Sequence, residues 1–208
     1  MIPVKVLAVR FLDNASRELL QGLGTVQPAL GFLTTDCDDA TYIALDAATK
    51  AAQVEVAYSH SFYAGAANAS TPYAGEVIGV LAGATTGAVR SGMAAALSAL
   101  ENLGFEEAGE VPYLAHTVAS VGSFLAKEAG VPEGSAVAYL IAPPLESMVA
   151  LDAALKAADV KLCKLYSPPS ETNFGGGLLT GTQSACEAAA QAFAAAVADI
   201  ARHPRQHS

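Results

Sequence analysis

Short apolar runs alternate with alanine-rich amphipathic stretches along this chain, and the alternation is written twice. Residues 44–56 read ALDAATKAAQVEV and residues 150–162 read ALDAALKAADVKL. Leu45, Ala48 and Ala52 fall on one helical face beside Ala44, Ala47 and Ala51, and Leu151, Ala154 and Ala158 repeat that spacing. Asp46 and Lys50 stand in the favourable order for an exposed helical ion pair, as do Asp152 and Lys156. Such a pair is worth about 0.2–0.5 kcal/mol, so it tunes a surface rather than drives a fold. The residues that follow, Val54–Tyr58 and Val160–Leu165, shift toward alternation and read as strands. So much alanine makes helices thin enough to lie close against a sheet.

The match extends both ways. ALGFL (29–33) and AVAYL (136–140) are short apolar strands ahead of the two helices. EVIGVLA (76–82) and GLLTGT (177–182) follow after a loop, and each leads into a closing helix. The last helix is expected to run to about Arg202, with Ser184 and Glu187 at capping-box spacing. VKVLAVRF (4–11) and YLAHTVASV (113–121) open the halves as strands, with short helical stretches at Ser16–Leu20 and Ser123–Ala129. Both halves therefore read β-α-β-α-β-β-α. The join falls in the polar, Gly-rich stretch Leu103–Gly109, which gives two domains, 1–104 and 105–208. A β-β step among alternating strands and helices predicts an α/β (α+β) class with two small mixed α/β domains.

Composition narrows the function. The chain is 52% hydrophobic and 15% charged, which predicts a packed globule. A formal charge of −9 argues against a nucleic-acid partner and favours a cation, a small polar molecule or another protein. Cys37, Cys163 and Cys186 form no C-x-x-C pair, so a reducing cytoplasm is expected. The opening MIPVKVLAVRFLD lacks a cationic region followed by an apolar block, and no apolar run is long enough to span a bilayer; neither signal peptide nor membrane is expected.

Catalytic signatures are missing. His60 and His116 have no Cys, Asp or Glu at metal-ligand spacing, and His203 and His207 lie in the tail. The chain holds no G-x-S-x-G elbow and no phosphate-binding P-loop, and Gly175-Gly176-Gly177 enters a strand rather than a helix. Cys186 lies on an alanine-rich helical stretch and reads as core. No enzyme, cofactor or metal is expected. The cluster Asp36-Cys37-Asp38-Asp39 lacks EF-hand spacing. The fold nevertheless brings the end of ALGFL toward the start of EVIGVLA, and so Asp39 toward Glu76. Two carboxylates with an aromatic ring and a hydroxyl can hold a small ammonium-bearing alcohol through charge-assisted hydrogen bonds and cation–π contact. The competing reading is that Asp39 caps its helix and Glu76 meets an arginine.

The helix–strand signature ALDAALKAADVKL resembles that of bacterial microcompartment shell domains. LTTDCDDATYIALDAATKAA, YAGAANAS, AGEVIGVLAG, YLIAPPLESMVALDAALKAADV and PPSETNF-GGGLLTG-TQSAC together resemble the large shell proteins of ethanolamine-utilisation microcompartments, from Leu30 to Pro204. That resemblance implies two tandem, permuted shell domains, each a small mainly antiparallel sheet with flanking helices. It implies a homotrimer shaped as a flat pseudo-hexamer, tiling with hexameric shell proteins in the organelle shell. Lys50 and Lys156 then fall at the tile edge, against the alternative of plain solvated lysines. The loops 58–76 and 166–177 surround pores, with Phe62, Tyr63, Glu171 and Asn173 as pore-loop residues; the alternative is that the aromatics pin the loop to its own domain. Asp39, Glu76, Phe105 and Thr172 fall at the subunit pore as binding residues for a small polar metabolite such as an amino alcohol. Two rival classes stay open here: a small-molecule-binding regulatory trimer that never tiles, and a small enzyme with its site between the halves.

Overall fold

The computed structural model describes residues 1–62, 75–168 and 170–205. Its elements are β1 (Ile2–Pro3), β2 (Val6–Leu12), α1 (Arg17–Gly22), β3 (Ala29–Thr35), α2 (Asp38–Ala51), β4 (Glu55–Ser61), β5 (Val77–Gly83) and α3 (Thr86–Leu100). They continue as β6 (Gly104–Ala108), β7 (Val111–Val118), α4 (Ser123–Ala129), β8 (Ala136–Ala142), α5 (Pro144–Ala157), β9 (Val160–Tyr166), β10 (Gly175–Gly181) and α6 (Gln183–Arg202). Two compact units result. The N-terminal unit is Pro3–Gly104 with Gly122–Leu125; the C-terminal unit is Met1–Ile2, Phe105–Val121 and Ala126–Ser208.

The N-terminal unit carries a four-stranded sheet in the order β2-β3-β5-β4, antiparallel throughout. The C-terminal unit repeats that order as β7-β8-β10-β9 and extends it at the β7 edge with β6 and β1. In both, the two-helix face is packed through small side chains. Gly79 on β5 shows the tolerance: a Cβ there would lie 2.6 Å from Leu45 Cδ1 of α2. The opposite face of the N-terminal sheet, with Leu30, Val80 and Ala82, is covered by Ala15, Leu20 and Leu23 around α1. In the C-terminal unit Ala138, Leu140 and Leu179 pack under Ala150, Leu151 and Ala154 of α5 and Cys186, Ala189 and Phe193 of α6. Cys186 is core, as its helical position implied.

The stretch read as a polar join, where the chain passes from one unit to the other at Gly104 and Phe105, also contains β6, which forms a hairpin with β7 through Gly109, at φ +64°. Two local expectations need correction. The cap of α6 is Thr182, whose Oγ1 accepts the Ala185 N–H at 3.2 Å. Pairing to β8 holds β10 through Gly181, so Thr182 is the first residue free to cap, and the Ser184/Glu187 pair falls inside the helix.

The second concerns Asp46, read as one half of an exposed ion pair. Its side chain is 0% exposed. Its carboxylate accepts the Gly122 N–H at 2.8 Å and the Leu125 N–H at 2.9 Å, while Lys50 Nζ lies 3.2 Å away. Thr49 Oγ1 accepts the Ser123 N–H at 3.2 Å, and the Phe124 ring lies 6.0 Å from Tyr42. Residues 122–125 thus lie along one face of α2, held by a buried carboxylate that satisfies the first N–H groups of α4. Asp152 and Lys156, at the matching positions of α5, are exposed as the spacing predicted: 62% and 75%.

Candidate functional site

The acidic cluster is built by a tight passage from β3 into α2. Thr35 is fully buried at the end of β3, and its Oγ1 accepts the Cys37 N–H at 3.1 Å. The hydroxyls of Thr35 and Thr41 lie 2.7 Å apart and 2.9 and 2.8 Å from the Cys37 carbonyl oxygen, which also receives the Thr41 N–H. This knot leaves Asp36 exposed, its Oδ1 accepting the Lys5 N–H at 2.7 Å. It puts Asp38 and Asp39 into the first turn of α2, each 7% exposed, where the helix dipole favours anions. Asp38 Oδ1 accepts the Asp39 N–H at 2.9 Å, so the helix start is held from within the cluster.

Glu76 arrives from the other strand. Thr35 pairs with Val77 across β3 and β5. The Glu76 N–H therefore donates to the Thr35 carbonyl at 2.9 Å, and the Glu76 carbonyl accepts the Phe62 N–H at 2.9 Å. Gly75 is obligatory here, since a Cβ would lie 1.8 Å from the Thr35 oxygen. Burial first, then the negative charges of Asp38 and Asp36, push the Glu76 carboxyl up to about 7. The Cys37 thiol is pushed up by burial and by Asp39, Asp38 and Glu76, so it is a neutral wall and not a nucleophile. One end of the N-terminal unit thus gathers Asp36, Asp38, Asp39 and Glu76 around Cys37. Among the described residues no group of three or more His, Cys, Asp or Glu side chains is disposed to hold a metal ion.

The other two expected binding residues belong to the C-terminal unit. Phe105 on β6 packs against Phe174 with ring centroids 5.4 Å apart. Thr172 sits in the adjoining loop, its Oγ1 3.4 Å from Ser170 Oγ. That loop is closed by Ser170 N–H to Phe174 carbonyl and Asn173 N–H to Ser170 carbonyl bonds, both 3.1 Å. Asn173 takes φ +66°, a conformation asparagine tolerates better than most residues. Glu171 and Asn173 are exposed, while Thr172 and Phe105 are half-buried. Asp39 and Glu76 thus belong to the N-terminal unit, and Phe105 and Thr172 to the C-terminal unit. Phe62 is half-buried beside Glu76; Tyr63 lies outside the described residues.

Sequence reasoning missed Thr35 and Thr41, and it singled out Asp38 only as a member of the acidic cluster. The signal was present in TTDCDD, a stretch of residues whose side chains bond their own backbone and fix turns.

The BMC domain family matches residues 29–112, a span that opens at β3. The bacterial microcompartment shell protein EutL of Clostridium perfringens is 54% identical over 98% of this chain and 97% of its own length. EutL of Salmonella typhimurium is 49% identical over 86% of this chain and 84% of its own. The crystal structure of the ethanolamine utilization protein EutL from Leptotrichia buccalis superposes with a TM-score of 0.96 at 55% identity, covering 99% of this chain and 98% of that one. A trimeric shell protein, PduB, shares the fold at a TM-score of 0.78 and 20% identity. Fold, chain length and sequence agree from end to end: this chain belongs to the EutL family of tandem-domain bacterial microcompartment shell proteins, and its role is that of a structural element of such a shell.

Proposed function

We propose that three copies of this chain form a flat pseudo-hexameric tile that packs beside hexameric shell proteins. On this reading the boundary between its shell domains lies at residues 104 and 105, and the chain performs no chemistry of its own. The tile passes small polar metabolites, and Asp39 and Glu76, with Phe105 and Thr172, bind an amino alcohol such as ethanolamine on the way through. Phe62, Tyr63, Glu171 and Asn173 border that passage, and Lys50 and Lys156 stand at the tile edges.

The observation that carries the binding reading is the state of Glu76. Its carboxyl is raised to about 7 by burial and by the negative charges of Asp38 and Asp36, so an ammonium group arriving there favours its ionised form through a charge-assisted contact. The likeness to ethanolamine-utilisation EutL proteins supports the choice of ligand. Calorimetry with ethanolamine on the wild type and on Asp39→Asn/Glu76→Gln tests it. Heat in the wild type that vanishes in the double variant is expected. Equal heats in both, or none in either, sink the assignment.

A further inference from the structure

Thr35 ties both sides of the acidic cluster to one point. Its carbonyl takes the Glu76 N–H at 2.9 Å, and its hydroxyl takes the Cys37 N–H at 3.1 Å, one residue before α2 begins. A Cβ on Gly75 would lie 1.8 Å from that carbonyl, so the entry to β5 is pressed against the end of β3. Glu76 is thereby fixed near the first turn of α2, where Asp38 is buried and its Oδ1 holds the Asp39 N–H at 2.9 Å.

The two aspartates that act on Glu76 differ in their access to water. Asp36 is exposed, its Oδ1 on the Lys5 main-chain N–H. Asp38 is not, and repulsion carried through protein is screened far less than repulsion carried through water. Burial raises the Glu76 carboxyl first, and the charges of Asp38 and then Asp36 add to it, to about 7. The surrounding groups are few. Cys37 in the turn is a neutral thiol, and Asp39 follows Asp38 on α2. From β4 come Ser61, its hydroxyl bonded to that of Tyr42, and the exposed His60; the Lys5 side chain is exposed as well.

We propose that Asp38 is a positioning residue that couples capture of an ammonium ligand at this site to release of the Glu76 proton. This rests on the amino-alcohol reading above and gives it a selection rule. The carboxylic acid gives its proton to the buffer, the carboxylate receives the ammonium group, and the charge of the site is unchanged. A neutral diol of the same size displaces no proton and gains nothing from the exchange.

The test is calorimetry of ethanolamine binding to the full chain at pH 6 and pH 8, each in two buffers of different ionisation heat, so that affinity and proton release are read together. An alkylammonium stays charged throughout this range. With Glu76 titrating at about 7, the wild type should bind about tenfold more weakly at pH 6 than at pH 8. It should release close to one proton per ligand at pH 6 and almost none at pH 8. Asp38→Asn keeps an oxygen for the Asp39 N–H and loses the charge. It should narrow the difference in affinity and release fewer protons at pH 6, and Asp36→Asn should do so less. A wild type that binds equally at both pH values and releases no proton overturns the exchange while ethanolamine binding stands. Proton release that Asp38→Asn leaves unchanged, or that Asp36→Asn alters as much, overturns the role of Asp38. So does an Asp38→Asn chain that gives no heat at pH 8, because Asp38 would then be needed for more than the proton. A wild type silent at both pH values overturns this proposal together with the amino-alcohol reading.

Discussion

Replacing Glu76 by glutamine isolates the electrostatics of the acidic cluster. Glutamine has the shape of the protonated acid and no charge at any pH. The Glu76 carboxyl is raised from its ordinary 4.5 to about 7, so the folded chain holds this proton more tightly than the unfolded chain does. Between those values the native state binds more protons, and stability must fall as pH rises. The stabilisation is fully present below pH 4.5 and gone once pH has passed about 7. At 1.36 kcal/mol for each tenfold change in the proton equilibrium, the whole loss is on the order of 3 kcal/mol. Water reaching this half-buried side chain reduces it to about 2 kcal/mol. Urea unfolding of wild type and Glu76→Gln from pH 4 to pH 8.5, at one fixed protein concentration, reads the difference directly, because all other titrations cancel. The two proteins should be nearly equal at pH 4, and the variant should be about 2 kcal/mol more stable at pH 8. A difference that stays flat with pH, or a wild type that is the more stable at pH 8, refutes the reasoning. Saturating ethanolamine should shrink the gap, since a bound ammonium favours the ionised carboxylate.

Other substitutions test the packing that presents the cluster. Asp46→Ala strands two buried N–H groups, at about 1–3 kcal/mol each, so denaturation should show a loss of roughly 3–5 kcal/mol. A loss below 1 kcal/mol would mean that residues 122–125 are not held as described. Thr182→Ala removes the cap of α6 and should cost about 1 kcal/mol in the same assay, while Ser184→Ala should cost much less. Gly75→Ala, with its Cβ driven into the Thr35 carbonyl, should destabilise the N-terminal unit and abolish any ethanolamine heat.

How much was legible depended on how local the cause was. The repeat was readable because alanine and leucine spacing on α2 and α5 is set within each helix, and the arrival of Glu76 beside the acidic cluster at the end of β3 followed from strand order alone. The fate of the two aspartates was not. Asp46 and Asp152 sit in almost the same sequence, yet one is buried and the other exposed, because a segment far along the chain covers only the first. Periodicity reports which face is apolar and cannot report what lies on it. The cap of α6 was misplaced for a related reason: the end of β10 is fixed by pairing with β8, and the local spacing of Ser184 and Glu187 carries no trace of that. The Phe105–Phe174 contact likewise joins residues with no shared local pattern.

Negative-stain electron microscopy of the purified protein over a range of concentrations and salts tests the central claim most directly. The account predicts flat plates with three-fold or pseudo-six-fold symmetry that associate edge to edge into sheets, alone or with a hexameric shell protein. Discrete globular particles that never meet edge to edge under any of these conditions would contradict it.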